Sequence, residues 1–218
     1  MCGVIGYATE KVLHGGIEML CNLFEQSRIR GLHSCGYSFL DGKVINTRKF
    51  FDTDELKHSL MPFAKSHLGK PLKIIGHTRY STSGDWEDHR NNQPLHVVGP
   101  DKHEISLVFN GCIHMGLRTE YEQAYGKKYT TDNDGEIFCR KVLDGEDWHG
   151  FVDDGSFSFA GAFLHKGQMH AIRNRNRPLW FGYSLRAIFI ASTEDIFRRA
   201  EFDGEVEEVE PCMSHRIS

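Results

Sequence analysis

The sequence predicts an α+β domain. Short apolar runs recur along the whole chain, and glycine-containing turn dipeptides join several of them in pairs. Amphipathic helical stretches are few and do not alternate regularly with the strands, which argues against a parallel β-α-β arrangement. No repeat, low-complexity tract or linker interrupts the 218 residues, so residues 1–218 are read as a single domain.

Residues 3–8 form a short apolar strand almost at the start of the chain. Ile17, Leu20 and Phe24, with Cys21 beside them, recur at helical spacing and predict an amphipathic helix over 16–27. Residues 35–50 read as two strands around Asp41-Gly42, a dipeptide favoured in tight hairpins. Residues 73–80 and 105–109 are further strands, each running into a glycine-containing loop. Beyond Asp134, Ile137, Phe138 and Val142 share one helix face, and Gly145 ends that helix. A hairpin follows from 157–164 and 169–172 around Lys166-Gly167. Strands at 180–183 and 187–191, a short helix over 193–200 and a strand at 206–209 complete the pattern.

The composition, 39% hydrophobic and 26% charged, is ordinary for a globular protein. A net charge of -4 and a pI near 6.3 give no electrostatic reason to hold a phosphate backbone, so nucleic acid is not expected as a partner. No apolar run approaches a membrane span, and no basic stretch leads into an apolar one at the start; a soluble, cytoplasmic protein is expected. The cysteines at 2, 21, 35, 112, 139 and 212 include no C-x-x-C pair, and most are expected to be small buried residues. Thirteen histidines raise the question of metal. Pro94, Gly99 and Pro100 break the stretch holding His89, His96 and His103, so their even spacing puts no ligands on one helix face; neither metal nor other cofactor is expected.

Four motifs can carry chemistry. In Met1-Cys2-Gly3, removal of Met1 leaves Cys2 with a free α-amine. Only a few per cent of an ordinary thiol is thiolate at neutral pH, and an α-amine of pKa about 7.7–8 is a suitable base on the same residue. Gly76-His77-Thr78-Arg79-Tyr80-Ser81-Thr82 ends a strand. Arg79 there either grips a substrate carboxylate through two hydrogen bonds or pairs with an internal acid, and His77 reads as a core histidine orienting the loop. Asn110-Gly111 after a buried strand is either a tight turn or a pair of donors for an oxyanion. Asp134, at the head of a helix, either caps it or binds a substrate ammonium; Asp132 is the other capping candidate. The chain has no G-x-S-x-G elbow and no phosphate-binding G-x-x-x-x-G-K-S/T loop, so no ATP-driven activation is expected of it.

Taken in order, these motifs resemble the class II glutamine amidotransferases of the N-terminal nucleophile hydrolase superfamily. The resemblance begins with Met1-Cys2-Gly3-Val4-Ile5-Gly6 and continues with Arg30-Gly31-Leu32-His33-Ser34-Cys35-Gly36 and Gly76-His77-Thr78-Arg79. It extends through Asn92-Gln93-Pro94, Asn110-Gly111, Asp134-Gly135-Glu136-Ile137, Arg177-Pro178-Leu179 and Ala191-Ser192-Thr193-Glu194. It implies a four-layer α-β-β-α sandwich with Cys2 as nucleophile and its own amine as base. Asn110 and Gly111 would form the oxyanion hole. Arg79, with Tyr80 and the loop through Thr82, would hold the glutamine carboxylate, Asp134 the ammonium, and Arg30 would support the turn at Cys2. The sequence departs from common family patterns at Tyr80, Ser83 and Phe109, where tryptophan, histidine and histidine are frequent.

The expected reaction is hydrolysis of L-glutamine to glutamate and ammonia through a thioester on Cys2. Val209-Glu210-Pro211 stands near where the glutaminase domain of larger relatives ends, so a stand-alone domain passing ammonia to a separate synthetase or transferase is expected. Residues 80–88 are the candidate moving loop. The alternatives are a cysteine amidohydrolase of the same fold acting on another amide, and a non-catalytic regulatory module.

Overall fold

The computed structural model describes residues 2–81, 84–150 and 155–217. In chain order the elements are β1 (Gly3–Thr9), α1 (His14–Ser27), β2 (Ser34–Asp41), β3 (Val44–Phe50), α2 (Thr53–Ser66), β4 (Leu72–Arg79), β5 (Leu95–Val98) and β6 (Glu104–Cys112). There follow α3 (Arg118–Tyr125), α4 (Gly135–Leu143), β7 (Ser158–His165), β8 (Gln168–Arg173), β9 (Trp180–Ser184), β10 (Ala187–Ala191), α5 (Glu194–Arg199), β11 (Glu205–Glu208) and β12 (Met213–Ile217).

The strands form two antiparallel sheets, ordered β11-β9-β10-β1-β4-β2-β3 and β12-β8-β7-β6-β5. Alternation along the strands makes four layers of them. On β1, Ile5 and Tyr7 turn outward to pack under α1, α2 and α5, while Val4 and Ala8 turn inward. On β6, Leu107 and Phe109 face α4 and Val108 faces the other sheet. The inner layer is Val4, Ala8 and Ile75 against Val108, Ala160, Ala162 and Leu164. The α-β-β-α sandwich and the α+β class expected from the sequence are therefore both present.

Polar contacts also cross between the sheets: Ser106 on β6 donates to Ser38 on β2 at 2.7 Å, and Ser38 bonds Thr47 on β3 at 2.7 Å. The Lys166-Gly167 hairpin forms as read, with both residues at positive φ between the paired His165 and Gln168. In the first hairpin the paired residues are Asp41 and Val44, so the central residues are Gly42 and Lys43, one position later than the dipeptide suggested.

Four elements had no clear signal. Helix α2 contains Pro62, which ordinarily argues against a helix, yet Leu56, Leu60 and Ala64 bury one stripe and Asp52 caps the start through Asp54 N. Helix α3 buries only Tyr121, and β5 and β12 are short and alternate with polar residues.

Candidate active site

The site lies where the ends of β1 and β4 from one sheet meet the end of β6 from the other. Gly3 lets the chain approach β4 and the end of α1, since a Cβ there would stand 2.4 Å from Thr78 Oγ1. This closeness brings Cys2 over β6: its backbone N donates to Asn110 Oδ1 at 3.3 Å, and its Sγ donates to Tyr80 O at 3.5 Å. Arg30 Nε donates to Cys2 O at 3.3 Å, and Ser192 Oγ reaches the same oxygen at 3.5 Å. Burial raises the Cys2 thiol pKa, opposed by a backbone hydrogen bond at Tyr80 and by the guanidinium charges of Arg79 and Arg30. A thiol in that state needs a base at hand.

Asn110 uses its side-chain oxygen on Cys2 N, which leaves Nδ2 buried with no hydrogen-bond partner among the described residues. An unpaired buried donor costs about 1–3 kcal/mol, so it marks a place where an acceptor belongs. Gly111 follows with no room for a side chain, because a Cβ would fall 2.0 Å from Ser158 O. The Asn110-Gly111 pair lies within the ladder of β6 and β7, opposite Ala160 and Phe159, so it is not a tight turn.

Asp134 is buried but does not cap α4 with its side chain; Asn133 Oδ1 accepts from Gly135 N at 3.0 Å instead. The Asp134 carboxylate turns toward β6, where Oδ2 accepts from Ile113 N at 2.5 Å and His114 N at 3.0 Å. Burial raises its pKa, offset by those two N–H groups and by the Cys112 thiol, which donates to it. Asp132 pairs with Arg118 at 3.6 Å.

Arg79 ends β4 and is buried, its Nη1 donating to Asn92 Oδ1. Burial lowers the Arg79 pKa, while the charges of Cys2 and Asp134 act the other way. The Asn92-Gln93 segment thus has a job that sequence reading did not assign. Asn92 holds the arginine, and Gln93 Oε1 accepts from Phe109 N at 2.6 Å, behind Asn110. His77 is fully buried, with Nε2 at 3.1 Å from Phe109 O and Nδ1 unpartnered; burial brings its pKa down to about 3, so it is neutral.

These groups open on a cavity of about 870 Å³ lined by Cys2, Tyr80, Asn110, Gly111, Cys112, Asp132, Asp134 and Arg177, with His114 to Arg118 along one side. The structure thus brings Cys2, Tyr80, Asn110, Gly111 and Asp134 to one chamber. Arg30 lies at the Cys2 carbonyl, and Arg79 at the end of β4 is held by Asn92. Thr82, the remaining residue of the expected set, lies outside the described residues, as does Met1. Tyr80 is held by His33, whose ring stacks on it at 4.8 Å and on Trp86 at 5.5 Å, while His33 Nδ1 accepts from Ser81 N at 2.9 Å. Cys112 and Arg118 are cavity residues that the sequence did not single out, and Arg177 entered only within the Arg177-Pro178-Leu179 motif. Cys112 carried a signal in hindsight, since it shares the β6 face of Asn110 by strand alternation.

The family model for the glutamine amidotransferase domain matches residues 77–199, and the chain belongs to that family. It is 29% identical over 209 residues to the isomerizing glutamine–fructose-6-phosphate aminotransferase of Fusobacterium nucleatum, covering 88% of this chain and 32% of that protein. The corresponding enzyme of Sulfolobus acidocaldarius is 25% identical over 206 residues, covering 88% and 33%. Across the curated relatives named here the chain spans about a third of their length. Its fold is that of the glutamine phosphoribosylpyrophosphate amidotransferase from B. subtilis, with a TM-score of 0.72 at 21% identity over 96% of this chain and 46% of that one. A glutamine aminotransferase class-II domain protein from Silicibacter pomeroyi superposes with a TM-score of 0.58 at 12% identity, over 99% and 94%. Among the described residues, no helix is long and apolar enough to cross a membrane.

Proposed function

We propose that residues 1–218 act as one glutaminase domain in which Cys2, once Met1 is removed, attacks the side-chain amide of L-glutamine. The observation that carries this reading is the buried, unpartnered Nδ2 of Asn110 beside the Cys2 thiol, at a chamber that also holds a buried carboxylate. The α-amine takes the thiol proton as Sγ bonds the γ-carbon, and the oxyanion that forms sits on Asn110 Nδ2 and Gly111 N. The amine then gives its proton to the departing nitrogen, which leaves as ammonia. Water cleaves the thioester to glutamate and restores the thiol. Arg79 receives the α-carboxylate, with Tyr80 and Thr82 beside it, and Asp134 receives the ammonium. Arg30 holds the Cys2 carbonyl and so aims the nucleophile. No cofactor enters these steps.

Ammonia in water at neutral pH is mostly protonated, so its productive use requires transfer to a separate acceptor synthetase or transferase in the cytoplasm. The relatives named as fructose-6-phosphate aminotransferases support that pairing of a glutaminase with an acceptor site.

The reading is tested with 6-diazo-5-oxo-norleucine and intact-mass measurement. The expected product is a chain lacking Met1 with one adduct on Cys2, no glutamate release after labelling, and none from Cys2→Ala. An active chain that retains Met1, or an adduct on Cys112, overturns it.

A further inference from the structure

Arg177 stands in the wall of the cavity beside the nucleophile, yet among the described residues its side chain forms neither an ion pair nor a hydrogen bond, and its Nε is buried without a partner. The other cavity cation, Arg118, pairs with Asp132, and Arg79 is bonded to Asn92. Arg177 is also held in place: Arg173 Nη1 donates to its carbonyl at 3.2 Å and to Glu208 Oε1 at 2.7 Å. A half-buried guanidinium that lines a cavity and has no acid beside it is available to an anion that enters there.

Its position favours one end of the substrate. Arg177 lines the same cavity as Cys2, whose carbonyl Arg30 holds. Arg30 grips the Cys2 carbonyl, and the nitrogen cleaved from the γ-carbon departs on the Cys2 side because the Cys2 amine supplies its proton. A chamber of about 870 Å³ is of the size that buries drug-sized ligands, more than one amino acid fills. Met115 and Leu117, 90% and 72% exposed, add an apolar lip.

We propose that Arg177 forms a second subsite for a carboxylate carried on the leaving amine, so that γ-glutamyl amino acids are substrates of this chain. The inference rests on the Cys2 reaction described above. Sγ forms the same thioester, the C–N bond breaks, and the leaving nitrogen takes the proton from the Cys2 amine. The departing product is an amino acid in place of ammonia, and water then releases glutamate. The α-carboxylate of that amino acid is one carbon from the departing nitrogen, within the span of a planar two-pronged guanidinium.

The test compares kcat/KM for γ-L-glutamylglycine and γ-L-glutamylmethylamide, which share the cleaved bond and differ in the carboxylate, with L-glutamine measured in parallel. The mature protein is expected to favour γ-L-glutamylglycine over the methylamide at least tenfold. Arg177→Gln brings that ratio close to one, and Arg177→Lys restores part of it. A ratio near one in the unsubstituted protein, or a preference that survives Arg177→Gln, overturns the subsite. Turnover of glutamine without a carboxylate preference overturns the subsite alone. Failure of all three compounds to yield glutamate overturns the Cys2 reaction with it.

Discussion

Two buried carboxylates stand at the head of α4, two residues apart, and they are treated in opposite ways. Glu136 is enclosed by Thr130 N at 2.9 Å and Thr131 N at 2.8 Å, and Arg140 Nη2 approaches it at 3.0 Å. Asp134 has backbone N–H groups and the Cys112 thiol, no ion pair among the described residues, and an open side toward the cavity. A buried acid with its cation in place is part of the scaffold. The other has no cation among the described residues and faces the cavity. The difference sets a charge paired inside the fold beside one left open at the head of the same helix.

Substitution should pull the two apart. Under the proposed reaction, Asp134→Asn keeps the shape and the two N–H bonds but removes the partner of the substrate ammonium. Loss of such a desolvated charge pair costs about 2–5 kcal/mol, a rise in the KM for glutamine of roughly thirty- to several-thousand-fold. Glu136→Ala should act on folding instead, by about 3–5 kcal/mol in urea unfolding, with the KM of the folded fraction little changed. If Glu136→Ala raised KM while leaving stability intact, the assignment of the two acids would be reversed.

The same contrast holds among amides. Gln93 spends its oxygen on Phe109 N, whereas Asn110 keeps Nδ2 unpartnered. Asn110→Ala should therefore lower kcat by about 10²–10³ with a smaller change in KM, as measured by steady-state glutamate release.

Asp134 also links function to pH. Its raised pKa is stabilising below the ordinary carboxylate range, and that contribution is lost as pH rises through the raised value, so the native carboxylate is a burden at neutral pH. Asp134→Asn is expected to raise Tm at pH 7, by about 2–4 °C for each kcal/mol relieved in a chain of this size. The gain should shrink on acidification. The KM for glutamine in the unsubstituted protein should rise on the acid side at a pH above that of an ordinary aspartate. The smallest effect belongs to Cys112→Ala, which removes one donor from Asp134; a loss of about 0.5–1.5 kcal/mol is a several-fold KM change at most.

Much of this arrangement was legible along the chain because strand alternation and glycine-flanked turns are local signals. The β1 run, the Lys166-Gly167 hairpin and the stripe of Ile137, Phe138 and Val142 all depend on neighbours within a few residues. Helix α2 was hidden by Pro62, whose local preference is overridden once Leu56, Leu60 and Ala64 find the outer face of the first sheet. The choice between cap and ligand for Asp134 could not be made locally either. It turns on Asn133 taking the cap and on Ile113 and His114, just past β6, presenting N–H groups from 21 and 20 residues away. Arg177 belongs to the same class: the Arg177-Pro178-Leu179 motif was visible, but its neighbours give no hint of a cavity formed by segments from both sheets.

The hydroxyl contact between Ser106 and Ser38 has a bearing on this that burial energies do not capture. Facing apolar layers lose little when one slides over the other by a fraction of a side chain, because dispersion contacts are exchanged rather than broken. A hydrogen bond across the same gap is directional and resists that shear. Asn110 lies four residues beyond Ser106 on one sheet, and Cys2 leads into β1 on the other. A site divided in this way works only while its parts stay within about 0.5 Å of their places. Loosening of the contact between the layers should therefore appear first as scatter in reactivity, while the melting curve still looks intact.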